Sequence, residues 1–113
     1  MNKMNHREAS LEFVRAFCGG DVDALAPLLA DDLRFTGPFY QFGSAEEYLA
    51  ILRDGSLEPN GYRLISVTEN EDSVSVYYDY EKSDGTITIA QLFKFRCEKI
   101  CEILVVFDGR GFV

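Results

Sequence analysis

An amide side chain interrupts an apolar row in the stretch Thr86–Phe107, whose alternation predicts two strands joined by a tight turn. Every second residue of the first strand faces one side of a sheet, and that side carries Ile87, Ile89, Gln91, Phe93 and Phe95. A buried amide without a partner costs about 1–3 kcal/mol. Gln91 is therefore either tied to neighbouring core hydroxyls or acts as a hydrogen-bonding group in a pocket.

Four other residues in the predicted strands carry groups that could take part in chemistry or binding. Thr36 ends the first short strand, and Tyr40 lies in the return strand, where its hydroxyl could close a pocket mouth or stay exposed. Parity along the strand Ser73–Lys82 predicts Tyr78 in the pocket wall and Asp79 outside it. A one-residue bulge would turn Asp79 inward, where burial would raise its pKa and allow it to act as a base.

The remaining composition excludes several function classes. The cysteines Cys18, Cys97 and Cys101 form no C-x-x-C pair, and the single histidine is His6, so we expect no zinc site and no cofactor. Free thiols of this kind are typical of buried positions in a reducing cytosol. The net charge of −8 argues against a nucleic acid or an anionic membrane as partner.

No segment of the sequence resembles a targeting or membrane element. No stretch approaches the roughly 20 apolar residues of a membrane span. The N-terminal residues lack the apolar run of a secretory signal. We therefore expect a cytoplasmic protein that forms a single domain over residues 1–113.

Capping signals predict three helices in the first half of the chain. Asn5 and Ser44 each precede a glutamate by three residues, which is the capping-box spacing, and Asp21 is a third N-cap. Pro27 removes a hydrogen bond from the second helix, which predicts a kinked or partly 3₁₀ segment. The third helix should turn Tyr48 inward. The predicted helices are Asn5–Phe17, Val22–Ala30 and a third from Ser44 to about Arg53.

The other predicted elements are strands, four of them consecutive, which indicates an α+β domain. They are Leu33–Thr36, Phe39–Phe42, Tyr62–Thr68, Ser73–Lys82, Thr86–Arg96 and Ile100–Phe107. We expect a strongly curved antiparallel sheet wrapped around the three helices. Its outer face would carry four apolar residues, and a homodimer packing sheet on sheet is the simplest cover for them. This predicted dimer face comprises Ala90, Leu92, Leu104 and Val106.

Six short segments resemble one known superfamily, and the resemblance covers nearly the whole chain. They are Gly20–Leu25, Leu28–Asp32, Gly37–Pro38, Ser44–Leu49, Phe93–Phe95 and Ile100–Asp108. The superfamily is the nuclear transport factor 2-like one, which includes ketosteroid isomerases, limonene epoxide hydrolases and SnoaL-like polyketide cyclases. The resemblance implies a cone in which a curved sheet closes on three helices around an apolar pocket, often within a dimer.

The resemblance also implies where catalytic residues would lie. A ketosteroid isomerase would have its oxyanion tyrosine at Phe13, its aspartate base at Gly37 and its protonated aspartate at Gln91. An epoxide hydrolase would have an aspartate at Val105, and the pocket histidine of the cyclases has no counterpart in His6. Only Gln91 can still donate to an oxyanion. The resemblance thus argues against these reactions at these positions.

Two hypotheses follow for the function. The first is a binder of small hydrophobic molecules, or an isomerase-, cyclase- or hydrolase-type enzyme of unknown substrate. Its pocket would be lined by Phe13, Phe35, Thr36, Tyr40, Tyr78, Gln91, Phe93 and Phe107. The alternative is a non-catalytic dimerisation or interaction module, because the last strand is apolar on both faces and the catalytic aspartate and tyrosine are absent. The many aromatic residues could also fill the cone themselves.

Overall fold

The α+β fold predicted from the sequence is confirmed. A computed structural model of the chain describes residues 4–55 and 57–108, and the three helices pack on one curved six-stranded sheet. The helices are α1 His6–Cys18, α2 Val22–Leu25 and α3 Ala45–Asp54. The strands are β1 Leu29–Thr36, β2 Gln41–Phe42, β3 Gly61–Glu69, β4 Ser73–Lys82, β5 Gly85–Arg96 and β6 Lys99–Val106.

The three helices begin at the predicted caps. The side chain of Asn5 accepts from the backbone N–H of Glu8 at 2.7 Å, and the reciprocal bond to Glu8 completes the capping box. Asp21 accepts from the backbone of Ala24 at 3.2 Å, and Ser44 accepts from the third backbone N–H of α3 at 3.1 Å. Each cap satisfies a backbone donor that the helix itself leaves unpaired. Because only a few residue types can do this, the helix starts could be predicted from the sequence.

The second helix is shorter than predicted. The 3₁₀ turn expected at Pro27 is confirmed and spans Ala26–Leu28, but the extension of the helix to Ala30 is wrong. A proline cannot supply the N–H that would continue the helical ladder. Leu29 already pairs with Ile100 across the sheet, so β1 starts four residues before the predicted Leu33.

The sheet has the strand order β2-β1-β6-β5-β4-β3. The strands β3 to β6 form the predicted antiparallel meander. One pair departs from the prediction, because β1 runs parallel to β6 and makes the sheet mixed rather than wholly antiparallel. The strand order does not close on itself, so β2 and β3 are the two edges.

The core lies between the inner face of the sheet and the helices. On β5 that face includes Ile89, Gln91 and Phe93, all buried as the alternation predicted. The start of α1 rests on the β5–β6 turn, where His6 Nε2 donates to the carbonyl oxygen of Cys97 at 2.8 Å. The His6 ring also stacks on Phe95 with the ring centroids 4.1 Å apart. The first helix is thus fastened to the last hairpin.

The three cysteines occupy different environments. Cys18 is buried as predicted, and its burial raises the pKa of the thiol to about 12. Cys97 is instead exposed, with φ of 58° in the β5–β6 turn, and Cys101 is half-buried. The prediction of a buried position therefore fails for Cys97, because a tight turn presents its side chain to solvent.

Candidate functional site

A cavity of about 430 Å³ lies between the inner face of the sheet, α1, α3 and the β1–β2 turn. Its walls are mostly aromatic and aliphatic, and its volume falls in the lower part of the roughly 300–1,000 Å³ range of small-molecule sites. Six of the residues predicted to line a pocket line this cavity: Phe13, Phe35, Tyr40, Tyr78, Gln91 and Phe107. The cone is therefore not wholly filled by its own aromatic side chains.

Two predicted lining residues, Thr36 and Phe93, lie elsewhere. Thr36 is exposed at the end of β1, since its neighbour Phe35 takes the inward direction and successive strand residues alternate. Phe93 is fully buried and meets Phe13 edge to face at 5.1 Å. Phe93 therefore belongs to the solid part of the core, one inward position along the strand from Gln91.

Gln91 and Tyr78 form a polar pair in the cavity wall. The Tyr78 hydroxyl donates to Gln91 Oε1 at 2.8 Å, and the two residues are 2% and 5% exposed. Burial raises the pKa of Tyr78 well above the usual value for a phenol, so the donor stays protonated. The hydrogen bond from the Tyr78 hydroxyl thus explains how the Gln91 amide can lie within an apolar row. Gln91 also lines the cavity.

Tyr48, Tyr80 and Ile89 line the cavity but were not among the predicted site residues. The sequence did indicate that α3 would turn Tyr48 inward. A hydroxyl on the apolar face of a helix is the same kind of anomaly as Gln91 on an apolar strand face. That signal could have identified Tyr48 as a site residue.

Tyr80 connects the cavity wall to the loop that follows α3. Asn60 Nδ2 donates to the Tyr80 hydroxyl at 2.9 Å, and the Asn60 backbone N–H donates to the carbonyl of Cys18 at 2.6 Å. Leu57, from the same loop, lines the cavity. The loop is thus held at both the sheet and the end of α1, which fixes one side of the cavity.

The cavity opens to solvent between the β1–β2 turn and α3. Three of its lining residues are strongly exposed: Phe39 by 53%, Tyr40 by 63% and Ile51 by 49%. Gly37 donates to the carbonyl of Tyr40 at 2.9 Å and thereby closes the turn that carries the two aromatic rings. Apolar side chains rim this mouth and would contact any molecule that passes it.

Ionisable groups are placed away from the cavity in the part of the chain that the structure describes. No carboxylate, histidine, lysine, arginine or cysteine of residues 4–55 and 57–108 lines it. Asp79 accepts hydrogen bonds from Thr88 and Arg63, each at 2.7 Å, and these hold the pKa of its carboxyl below the usual range. Asp79 pairs with groups on the outer side of the sheet, in the direction that parity predicted.

Among the described residues, no group of three or more His, Cys, Asp or Glu side chains is arranged to hold a metal ion. None of the helices in this part of the chain combines the length and the apolar character that crossing a membrane requires.

The four positions singled out by the superfamily resemblance all line the cavity. They are Phe13, Gly37, Gln91 and Val105. Neighbouring strands bring the last two together, because Gln91 of β5 lies directly opposite Val105 of β6. The positions that the resemblance implies for catalytic residues therefore lie in the wall of one cavity.

Several solved structures share the fold of this chain. The chain matches an NTF2-like protein of unknown function from Cytophaga hutchinsonii at TM-score 0.84 and 22% identity, covering 98% of this chain and 96% of that one. It matches a de novo designed protein with a curved β-sheet at TM-score 0.82 and 20% identity, covering 99% and 93%. An epoxide hydrolase from M. tuberculosis, similar to limonene epoxide hydrolases, matches at TM-score 0.75 and 16% identity, covering 91% and 82%.

These structural likenesses show the fold alone, because identity is low. No curated protein matches the sequence. The family model described as a SnoaL-like domain matches residues 11–103, which is most of the chain. The protein therefore belongs to the SnoaL-like domain family, within the nuclear transport factor 2-like superfamily.

Proposed function

We propose that this protein binds a small, largely apolar molecule in the cavity. The observation that carries the proposal is an apolar cavity of about 430 Å³, open at one end, with the Tyr78–Gln91 pair in its wall. Such a site buries most of a small ligand and orients it through a few polar groups. The superfamily resemblance supports the proposal, because the positions that it implies for the catalytic residues of isomerases and hydrolases line this cavity.

Binding is better supported than turnover by acid–base chemistry. A general base or acid needs a pKa near the working pH, and the described lining residues offer only phenols and one amide as polar side chains. Burial moves the pKa of Tyr48 and Tyr78 upward, away from neutrality. Val105 and Gly37 bring no carboxylate to the positions that the related enzymes would use.

A cavity-filling substitution tests the proposal. We expect Val105→Phe to weaken binding by about tenfold or more, because Val105 lines the cavity and the larger ring occupies ligand space. Steroids, terpenoids and aromatic ketones would be screened by thermal shift, and hits would be measured by calorimetry.

The control is Val106→Phe, the same change at the adjacent residue, which is 55% exposed on the outer face. It should bind as the wild type does. Two results would contradict the proposal: no compound raises the melting temperature, or Val105→Phe binds hits as tightly as the wild type.

A second candidate function, association through the outer face of the sheet, is favoured by a contiguous apolar patch. Ala90 lies opposite Val106 and Leu92 opposite Leu104, while Tyr77 lies opposite Ala90 on the other side. Leu104, Val106 and Tyr77 are 40%, 55% and 44% exposed. A second copy of the chain would cover these two rows, and such a dimer is compatible with a ligand site on the inner face.

A further inference from the structure

Aromatic rings form a continuous cluster on the side of the cavity where it opens. Ring centroids lie 6.1 Å apart for Tyr40 and Phe42, and 5.7 Å apart for Phe42 and Tyr48. Phe35 adds a fourth ring, whose centroid is 4.7 Å from that of Tyr48 and 5.7 Å from that of Phe42. All four residues line the cavity, and Tyr40 is one of the exposed residues of its mouth. This ring cluster therefore extends from the entrance into the interior.

The planes of the four rings take two orientations. Tyr40 and Phe42 are within 15° of parallel, whereas Tyr48 and Phe35 are inclined to Phe42 by 61° and 59°. The face of an aromatic ring carries negative charge density, so it attracts a cation that lies within about 6 Å of the ring centroid and repels an anion. Adjoining aromatic walls of this kind are typical of sites for quaternary ammonium ions.

The segment that carries the ring cluster is acidic. Residues 35–52 contain no lysine, arginine or histidine, and they contain two carboxylates, those of Glu46 and Glu47. The Glu47 carboxylate lies near the cluster, because its Oε1 is 3.8 Å from the position that a Cβ on Gly43 would take, and Gly43 directly follows Phe42. The net charge of −8 has the same sign, and such a field raises the local concentration of cations. The charge of the protein therefore favours a cation over an anion at the mouth.

The loss of hydration on entering the cavity decides which kind of ammonium ion fits. A primary ammonium group has three N–H donors, and the described lining residues offer no carboxylate to accept them. A trimethylammonium group has no N–H donor and presents methyl groups to its surroundings, so it loses less hydration and still interacts with ring faces. The rest of a cavity of about 430 Å³ can take an apolar substituent on the same nitrogen.

We propose that the ring cluster of Phe35, Tyr40, Phe42 and Tyr48 binds a methylated ammonium group whose apolar substituent occupies the rest of the cavity. This inference rests on the proposed binding function. It narrows the ligand class to apolar molecules that carry a permanently charged, methylated nitrogen.

Three phenols of similar shape test the inference: 3-hydroxyphenyltrimethylammonium, 3-tert-butylphenol and 3-hydroxybenzenesulfonate. Their head groups are a cation, its neutral isostere and an anion. Calorimetry at neutral pH and low salt should give an affinity for the cation about tenfold above that for 3-tert-butylphenol. The sulfonate should bind at least about tenfold more weakly than 3-tert-butylphenol, because its charge meets ring faces and a negative field. The neutral compound measures the apolar contribution alone.

Two variants assign the preference to the ring cluster. Tyr40→Leu and Phe42→Leu each replace a ring by an aliphatic side chain, and each should reduce the advantage of the cation over 3-tert-butylphenol by about three- to fivefold. Tyr40 is 63% exposed, so its replacement should leave the fold intact, and melting temperatures would verify this for both variants. The control is Tyr77→Leu, the same change at a residue that is 44% exposed on the outer face. It should bind all three probes as the wild type does.

The possible outcomes separate the two proposals. Equal affinity for the cation and for 3-tert-butylphenol overturns the inference and leaves the binding function standing. Binding of the sulfonate as tight as that of the cation, or a cation preference retained in both Tyr40→Leu and Phe42→Leu, also overturns it. A preference lost equally in Tyr77→Leu refutes its location at the ring cluster. Failure of all three probes to bind contradicts the proposed function itself, and the inference with it.

Discussion

Gln91 and Tyr78 each satisfy a polar group that the apolar wall of β4 and β5 would otherwise leave unpaired. Their single bond of 2.8 Å joins residues 13 positions apart in sequence. Removing either side chain leaves the other without a hydrogen-bond partner. An unsatisfied buried polar group costs more free energy than the hydrogen bond itself contributes. A substitution at either position therefore changes what the other side chain contributes to stability.

We predict that Tyr78→Phe and Gln91→Leu each lower the free energy of unfolding by about 1–3 kcal/mol. The double variant should cost less than the sum of the two, because neither polar group is then left alone in the wall. Urea denaturation of the four proteins measures the coupling.

Tyr77→Phe is the control, because it removes the hydroxyl of the residue next to Tyr78, and Tyr77 is 44% exposed on the outer face. Its effect should stay within about 0.5 kcal/mol. Strict additivity of the two single changes would show that the hydrogen bond contributes nothing to stability.

Residue-level predictions from the sequence depended on the alternation of residues between the two faces of a strand. This explains which of the predictions could be made. Alternation alone places Gln91 and Tyr78 on the inner face and Asp79 on the outer one. The ring contacts of Tyr48 could not be predicted in the same way. They come from Phe35 of β1 and Phe42 of β2, which approach Tyr48 only in the folded molecule.

At the scale of elements, the α1–α2 turn holds the loop after α3 in place. Gly20 has φ of +73°, and a Cβ there would lie 3.1 Å from both the Leu57 carbonyl oxygen and the Pro59 nitrogen. Only glycine combines this left-handed backbone with so close an approach of another segment. The turn and the loop therefore form one unit, with Leu57 on its cavity side.

We predict that Gly20→Ala lowers the free energy of unfolding by about 2 kcal/mol, through backbone strain and displacement of the loop. Chemical denaturation would measure the loss. The matched control is Gly43→Ala, because Gly43 is exposed and a Cβ there meets only the side chain of Glu47 at 3.8 Å. Equal stability of the two variants would contradict the packing argument.

Helix starts were predictable because a cap is a local contact between residues three apart. The end of the second helix was not, because Leu29 is drawn into the sheet by Ile100, a residue 71 positions later. The residues of the helix alone do not show that a distant strand competes for its last residues. The pairing of β1 with β6 escaped prediction for the same reason.

At the scale of the whole molecule, the exposed apolar residues on the outer face of the sheet lead to a prediction about assembly. We predict that the wild type sediments as a dimer, and that Leu104→Glu raises the dissociation constant by about 100-fold or more. The reason is that a carboxylate would be buried without a partner at the interface. Sedimentation velocity over a concentration series measures this.

The control is Leu64→Glu, the same change at a residue of nearly equal exposure, 43% against 40%. Leu64 lies opposite Tyr78, on the other face of the sheet, so the variant should remain dimeric. A monomeric wild type would refute the assembly, and dissociation of both variants would refute its location.

The contact between His6 and the β5–β6 turn has a consequence for how the chain folds during synthesis. Its two residues are 91 positions apart, so α1 leaves the ribosome long before its docking site exists. The parallel partner of β1 is likewise made only when β6 appears. Folding governed by such distant contacts is slow, and the nascent helices must wait with their apolar stripes uncovered. This domain therefore completes its structure only after its last hairpin has emerged.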